Sequence, residues 1–150
     1  MSAMTISEFA DNLNKILPMI MKEFSRRLGS EFNTGKVTLP QFLIVQFLHQ
    51  ERVMRMTDLA RYMRVTTAAM TGIVDRLLKS GYVAREYDSK DRRTIRVILT
   101  SKGTELFKKV NQQRQQMIID IFGQISRQDR SNYLRILTQI KDILNKKSGD

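Results

Sequence analysis

The sequence contains no cysteine, no tryptophan and only one histidine, and these absences exclude several kinds of site. Without cysteine there can be no disulfide, no thiolate metal site and no thiol redox switch. The single histidine, His49, has no second histidine or carboxylate at ligand spacing, so we interpret it as a helix-packing residue and not as a metal ligand. Since no convergent set of carboxylates is present either, the sequence predicts no metal, no cofactor and no enzymatic activity.

Long apolar runs are also missing. No stretch reaches the ~18 residues that a membrane-spanning helix needs, and the N-terminus lacks the apolar segment of a signal peptide. We therefore expect a soluble, cytoplasmic protein that does not bind membranes. A chain of 150 residues, of which 41% are hydrophobic, is typical of a single domain with a substantial core.

Acidic residues are few relative to basic ones, 15 against 26, which gives a net charge of +11. Such an excess favours an anionic partner, of which DNA, RNA and membrane surfaces are all examples. Between Arg52 and Lys102 twelve basic residues oppose five acidic ones, so an excess of seven charges lies in this third of the chain. A generally solvated surface would not explain this clustering, and the excess does not fall on an amphipathic helix of the kind that binds membranes.

Hydrophobic spacing predicts helices along most of the chain. The predicted elements are a helix over 5–28 that is kinked or irregular near Pro18, a loop over 29–38, a helix from Leu39, one over 58–63 capped by Thr57, one from Thr66 to Ser80, one over about 101–123, and one from Ser126. In the second of these helices the core face is expected to consist of Phe42, Leu43, Val45, Phe47 and Leu48.

Two stretches read as strands, residues 82–87 and 95–99, and because they flank the polar, turn-prone stretch 88–94 they predict a β-hairpin. The hairpin directly follows two short helices that read as a helix-turn-helix. The expected fold is therefore mainly α with a small β-hairpin wing, an α+β winged helix-turn-helix with further helices at both ends.

The second helix of this motif has two distinct faces. Met70, Ile73, Val74, Leu77 and Leu78 recur at helical spacing and predict a face committed to the core. The opposite face carries Ala68, Gly72, Asp75 and Lys79, flanked by Thr71 and Arg76. A mid-helix glycine costs roughly 1 kcal/mol relative to alanine, and either the close approach of another molecule or tight internal packing at Gly72 would account for it.

Several motifs together resemble the MarR family of bacterial regulators. They are DLA at 58–60, TTAAMTGIVDRL at 66–77, GYV at 81–83, DRR at 91–93 and VILTSKG at 97–103. The resemblance covers residues 38–110 and implies a homodimer that binds pseudo-palindromic DNA, represses nearby genes and is released by a small-molecule effector. It divides the single domain 1–150 into a reader over about 39–100 and dimerisation helices over 5–28 and 101–146. One departure is Arg64, because this turn often carries glycine, which tolerates a left-handed backbone.

On this interpretation the recognition helix enters the major groove of duplex DNA. The short side chains of Thr66, Thr67, Ala68 and Thr71 are expected to meet base edges, where hydroxyls contact several bases and methyl groups contact thymine. Arg76 and Lys79 are expected to contact phosphates.

The resemblance also implies roles for the wing. Arg93 would reach the minor groove, with Asp91 pairing to it and holding its direction, while Lys90 and Arg92 would contact phosphates.

An effector pocket between the terminal helices and the reader would be lined by Met19, Phe24 and Met54, although each of these residues also fits ordinary core packing. A winged helix that binds RNA or a protein partner remains an alternative.

Overall fold

The computed structural model describes residues 3–147, apart from the side chains of residues 30, 33 and 147. Its elements in chain order are α1 (Ile6–Arg27), α2 (Ser30–Asn33), α3 (Leu39–Glu51), β1 (Val53–Arg55), α4 (Met56–Met63), α5 (Thr67–Lys79), β2 (Val83–Tyr87), β3 (Ile95–Leu99), α6 (Ser101–Phe122) and α7 (Arg127–Lys147). The chain divides into two compact units, residues 1–113 and 114–150. None of the described helices combines the length and apolarity needed to cross a membrane.

The first unit holds the predicted winged helix-turn-helix, and its strands form a three-stranded antiparallel sheet in the order β1-β3-β2. β2 and β3 are the predicted hairpin, with Val83 opposite Leu99 and Tyr87 opposite Ile95. β1 adds a third strand, with Val53 opposite Ile98. The mainly helical fold class with a small β wing is thus confirmed.

The core of this unit joins α3, α4, α5 and the sheet. Its least exposed side chains, all at 1% or below, include Ile44, Val45 and Leu48 of α3, Leu59 of α4, Met70, Val74 and Leu77 of α5, and Val97 of β3. Met70, Val74 and Leu77 follow the i, i+4, i+7 spacing of one helical face. The prediction that α5 commits this face to the core is confirmed.

Helix starts follow the capping residues closely. The Thr38 hydroxyl accepts from the Gln41 backbone N–H at 3.4 Å, and the Gln41 side chain accepts from the Thr38 N–H at 3.0 Å. This capping box, which was not predicted, starts α3 at the predicted residue Leu39. In the second unit Ser126 Oγ accepts from the Asp129 N–H at 3.1 Å and starts α7. α1 continues from Ile6 to Arg27 as one helix with Pro18 inside it, and the kink there stays a prediction.

Two details of the predicted N-terminal half are wrong. Residues 29–38 are not all loop, because α2 forms one helical turn in which Glu31 is buried and paired with Lys109 of α6. In α3 the predicted core residues Phe42, Val45 and Leu48 are buried, but Leu43 is 36% exposed and Ile44, which the prediction omitted, is fully buried. Both errors have the same physical reason, since contacts with distant residues decide these positions and local hydrophobic spacing does not record them.

The predicted N-cap of α4 is also wrong. α4 begins one residue before Thr57, at the buried Met56, and its N-cap Arg55 makes no side-chain capping hydrogen bond. The preceding residues form β1, which the chain enters through Arg52, a residue with a positive φ of 70°. A strand of three residues is too short to show a hydrophobic period, and its pairing with β3 fixes where α4 starts.

The turn between α4 and α5 has the left-handed geometry expected at Arg64. This residue has φ 53° and ψ 44°, and its N–H donates to the end of α4. A left-handed conformation costs a non-glycine residue about 1–2 kcal/mol, which packing of the two helices offsets. Thr66 then caps α5, since its hydroxyl accepts from the Ala69 N–H at 3.1 Å.

A close junction connects the end of α5, the sheet and α6. The Thr100 hydroxyl donates to the Gly81 carbonyl at 2.6 Å and accepts from the Gly103 N–H at 3.1 Å. The Tyr82 carbonyl accepts from the Thr100 N–H at 3.1 Å. A Cβ at Gly103 would overlap that same Tyr82 carbonyl oxygen, so only glycine permits this approach.

We therefore predict that Gly103→Ala lowers the free energy of unfolding by about 1–3 kcal/mol, the usual cost of overpacking. The matched control is Gly72→Ala, because a Cβ at that helical glycine meets no atom within 4 Å. The control should raise the free energy of unfolding by about 1 kcal/mol through helix propensity. Chemical denaturation of both variants provides the measurement, and shifts of the same sign would contradict the packing argument.

Candidate nucleic-acid interface

The exposed face of α5 carries most of the predicted contact residues of the recognition helix. Thr66, Thr67, Ala68, Gly72, Arg76 and Lys79 are all exposed, while Thr71 is half-buried. The opposite face is fixed in the core by Met70 and Val74. The helix therefore presents short side chains over its first two turns and cations at its end.

Thr71 makes a specific hydrogen bond within α5. Its hydroxyl donates to the Thr67 carbonyl at 2.9 Å, one helical turn earlier. Such a bond fixes the orientation of a threonine side chain on a helix. Thr71 therefore has a fixed rotamer at the helix surface.

A groove of about 500 Å³ lies between the start of α5 and the wing. It is lined by the predicted residues Thr67, Thr71 and Arg93, together with Arg55, Met56, Thr57, Arg85, Thr94 and Ile95. Three guanidinium groups and several hydroxyls thus meet in one concave surface. None of its lining residues is acidic, although Arg55 is ion-paired with Asp58 and Arg85 with Asp75. This arrangement suits an anionic partner with hydrogen-bonding edges.

Arg55 and Arg85 are functional candidates that the sequence interpretation missed. Arg55 ends β1, a strand too short to be recognised, so its place in the groove could not be anticipated. Arg85 offered a signal, because alternation along the predicted strand 82–87 places this cation on the same face as Val83, the face on which it pairs with Asp75 of α5. Thr57, predicted as a helix cap, instead lines the groove.

One ion pair joins the recognition helix to the wing. Arg85 Nη2 of β2 donates to Asp75 Oδ1 of α5 at 2.5 Å. Asp75 lies beside the exposed face of α5 and would repel phosphates if it were unpaired. Its pairing with Arg85 neutralises that charge and connects the two elements at a fixed distance.

The wing loop is held by two aspartates. Asp91 Oδ1 accepts from the backbone N–H of Arg93 at 3.0 Å, and the Thr94 hydroxyl donates to Asp91 Oδ2 at 3.4 Å. Among the described residues, Asp91 thus contacts the backbone of Arg93 and not its guanidinium, because the carboxylate closes the turn of the loop. The expected side-chain pair is replaced by a backbone contact that still sets where Arg93 leaves the loop.

Asp88 fixes the other end of the loop. Its carboxylate accepts from the Lys90 backbone N–H at 2.9 Å and from Arg96 Nη2 at 2.6 Å. The Lys90 N–H, with a further contribution from the Arg96 guanidinium, holds the pKa of Asp88 below its ordinary value. The wing loop therefore keeps this ionised anchor until the pH falls through that lowered pKa.

The other predicted wing cations have open surroundings. Lys90, Arg92 and Arg93 are all exposed. Arg92 lines a second hollow, of about 330 Å³, together with Tyr87, which is 68% exposed. The wing thus displays three cations and one aromatic ring to solvent.

The three predicted effector-pocket residues have different surroundings. Met19 is 70% exposed on α1, Phe24 of the same helix is half-buried, and Met54 of β1 is half-buried against the core. None of them lines the groove beside α5. Their assignment to an effector pocket stays a prediction.

The surroundings of Gly72 distinguish between tight internal packing and the close approach of another molecule as the reason for a glycine at this position. Because a Cβ at this position meets no atom within 4 Å, internal packing does not require glycine there. The cost to helix stability remains, so an approaching partner is the explanation that fits.

Comparison with known proteins gives a consistent set of relatives. The model of the MarR family matches residues 37–95. The HTH-type transcriptional regulator FarR of Neisseria gonorrhoeae is 29% identical over 75% of this chain and 80% of its own length. YfiV of Bacillus subtilis, an uncharacterised HTH-type transcriptional regulator, is 32% identical over 53% of this chain and 49% of its own length. The structure of a MarR family protein from Bacillus stearothermophilus covers 94% of this chain and 99% of its own chain, with TM-score 0.78 and 23% identity.

We predict that Gly72→Ala weakens binding to duplex DNA although it stabilises the fold. A methyl group inserted into a close contact costs about 1–3 kcal/mol, which corresponds to at least about a fivefold loss of affinity. Fluorescence anisotropy with a labelled duplex measures the affinity, and thermal unfolding measures the stability. Unchanged affinity in the stabilised variant would show that nothing approaches this glycine closely.

Proposed function

We propose that this chain is a DNA-binding transcriptional regulator of the MarR family, whose model matches residues 37–95, and that it acts as a homodimeric repressor on a pseudo-palindromic operator. The observation that carries the proposal is the groove in which Thr67 and Thr71 of α5 meet Arg93 of the wing. Residues from both reading elements of a winged helix converge there. We further propose that residues 1–150 act as one MarR-like domain, with the reader at about 39–100.

The exposed face of α5 enters the major groove in this proposal. Thr66, Thr67, Ala68 and Thr71 meet base edges, and their short side chains let the helix approach closely. Arg76 and Lys79 lie on the last turns of α5 and contact phosphates, which position the helix without reading sequence.

The wing follows the DNA backbone into the adjacent minor groove. Arg93 reaches into that groove, where a narrow A/T-rich sequence strengthens the negative potential that attracts arginine. Asp91 sets its direction through the backbone N–H of Arg93. Lys90 and Arg92, both exposed, contact the flanking phosphates.

The terminal helices form the dimer. None of the described residues of α1 is buried, and its apolar stripe of Ile6, Phe9, Leu13, Ile16 and Ile20 is 42–82% exposed. On α7 the apolar residues Tyr133, Leu134, Ile136, Leu137, Ile140, Ile143 and Leu144 are 42–67% exposed. Extended apolar faces of this kind mark protein interfaces, and a second copy of the chain covers them in a two-fold dimer.

Our proposals for the sign of regulation and for an effector rest on the names and titles of related proteins. YetL of Bacillus subtilis is named a transcriptional repressor, whereas BadR of Rhodopseudomonas palustris is named a transcriptional activatory protein. A MepR-like protein has been crystallised in complex with pseudoligands. We propose repression, with release by a small molecule bound near Met19, Phe24 and Met54.

We predict that Arg93→Ala and Thr71→Ala weaken DNA binding in different ways. Arg93→Ala removes a charge, so affinity should fall and the dependence on salt should weaken by about one counterion. Thr71→Ala keeps every charge and should cost about 1–3 kcal/mol on the selected operator, with little effect on scrambled DNA. In vitro selection from random duplexes provides the operator, and binding isotherms at several salt concentrations give the measurement.

Each variant has its own contradicting result. If Thr71→Ala weakens both duplexes equally, α5 does not read the major groove. If Arg93→Ala leaves affinity and salt dependence unchanged, the wing does not contact DNA. If selection enriches no duplex while an RNA library yields one, the alternative of an RNA-binding winged helix replaces the proposal.

We predict that Leu137→Glu converts the dimer into a monomer, because it places a charge in the apolar face of α7. Sedimentation of the unchanged protein should give about twice 17.5 kDa, and the variant should give the single mass. Gln139→Glu is the matched control, since Gln139 lies about 160° around α7 from Leu137, and adding the same charge there should leave the dimer intact. A monomeric unchanged protein, or a dimeric Leu137→Glu variant, would exclude this interface.

A further inference from the structure

We infer that α5 selects thymine, and that the methyl group of Thr71 does so by contacting the thymine C5-methyl with support from Ala68. The inference rests on the proposed function, because it assumes that the first turns of α5 lie in the major groove. It names the base class that this face recognises and assigns the discrimination to a methyl group and not to a hydrogen bond.

The side chains exposed on the first two turns of α5 include none of the usual readers of guanine or adenine. From Thr67 to Val74 the exposed and half-buried positions carry only threonine, alanine, glycine and isoleucine. Guanine is read in the major groove by arginine or lysine, and adenine by asparagine or glutamine, each through two hydrogen bonds. None of these residue types occurs on the first two turns, and the first cation of the helix is Arg76.

The hydroxyl groups of Thr66 and Thr71 make hydrogen bonds within the protein. The Thr71 hydroxyl donates its hydrogen to the Thr67 carbonyl at 2.9 Å, so it cannot donate to a base without breaking that bond. What this side chain can offer is its methyl group and an accepting oxygen. The Thr66 hydroxyl differs, because its oxygen accepts from the Ala69 N–H at 3.1 Å and this bond does not use its hydrogen.

The acidic side chain of α5 is also engaged within the protein and is not available to contact a base. A carboxylate in the major groove accepts from the amino group of cytosine. The carboxylate on this face, Asp75, is bound to Arg85 Nη2 at 2.5 Å and is therefore engaged. Apolar contact remains, and thymine is the one base that presents a methyl group in the major groove.

The experiment uses the full-length protein and a duplex obtained by selection from a random library. Each thymine of the half-site is replaced in turn by deoxyuridine, which removes the C5-methyl and leaves base pairing unchanged. We expect a loss of about fourfold in affinity at each contacted thymine, the contribution of one buried methyl group. Deoxyuridine outside the half-sites serves as the control and should have no effect.

Two conservative variants connect the effect to Thr71. Thr71→Ser keeps the hydroxyl and removes only the methyl, so the affinity difference between thymine and deoxyuridine should disappear at one position of the half-site. Thr71→Val keeps methyl groups and removes the hydroxyl, so the difference should persist. Thermal unfolding of both variants checks that the fold is unchanged.

The outcomes separate this inference from the function on which it rests. If selection enriches a duplex but deoxyuridine is tolerated at every position, or if the half-sites contain no thymine, thymine readout is overturned and the regulator assignment stands. If Thr71→Ser keeps full sensitivity and Thr71→Val loses it, Thr71 reads the base through its hydroxyl. If selection enriches no duplex, the proposed function fails and the inference fails with it.

Discussion

The position of α5 is the constraint on which the rest of the structure depends. Met70, Val74 and Leu77 are at most 1% exposed, so one face of this helix is fixed against α3, α4 and the sheet. A fully buried side chain of this size contributes about 1.5–3 kcal/mol to folding, which is large against the weak polar contacts on the other face. The core therefore determines which residues α5 presents, and the exposed face is free to carry residues selected for binding and not for stability.

The wing must be placed relative to α5 if both are to contact one duplex, and two connections do this. The junction of Thr100, Gly103 and Tyr82 holds the base of the hairpin close to the end of α5. The ion pair of Asp75 and Arg85 joins α5 directly to β2. A partly exposed ion pair adds little stability, so its value is geometric. It sets the spacing of helix and strand and cancels an acidic charge at a surface that otherwise carries cations.

Sequence patterns predicted the elements whose evidence is local. Threonine and serine caps, helical spacing and the polar stretch between two predicted strands located α3, α5, α7 and the hairpin. Patterns failed where distant contacts decide the structure, as with α2, whose buried Glu31 pairs with Lys109, and with β1, which exists only through pairing with β3. The same failure hid Arg55, because its role depends on a strand with no period of its own. Asp91 contacts the backbone N–H of Arg93 and not its guanidinium. A motif can therefore predict that two residues lie close together without predicting which of their atoms are in contact.

The distribution of side chains separates affinity from specificity. The cations lie at the end of α5, in the groove and on the wing, where phosphates would supply binding energy without sequence information. The first turns of α5 expose mainly short side chains, and in the proposed complex each would discriminate between bases by about one methyl contact, or roughly fourfold. Several such contacts multiply within one half-site, and in the proposed dimer the second copy squares that factor, because the free energies of two half-sites add. Weak individual contacts would therefore become selective through symmetry, so the proposed dimer would serve recognition as well as cover the apolar helices.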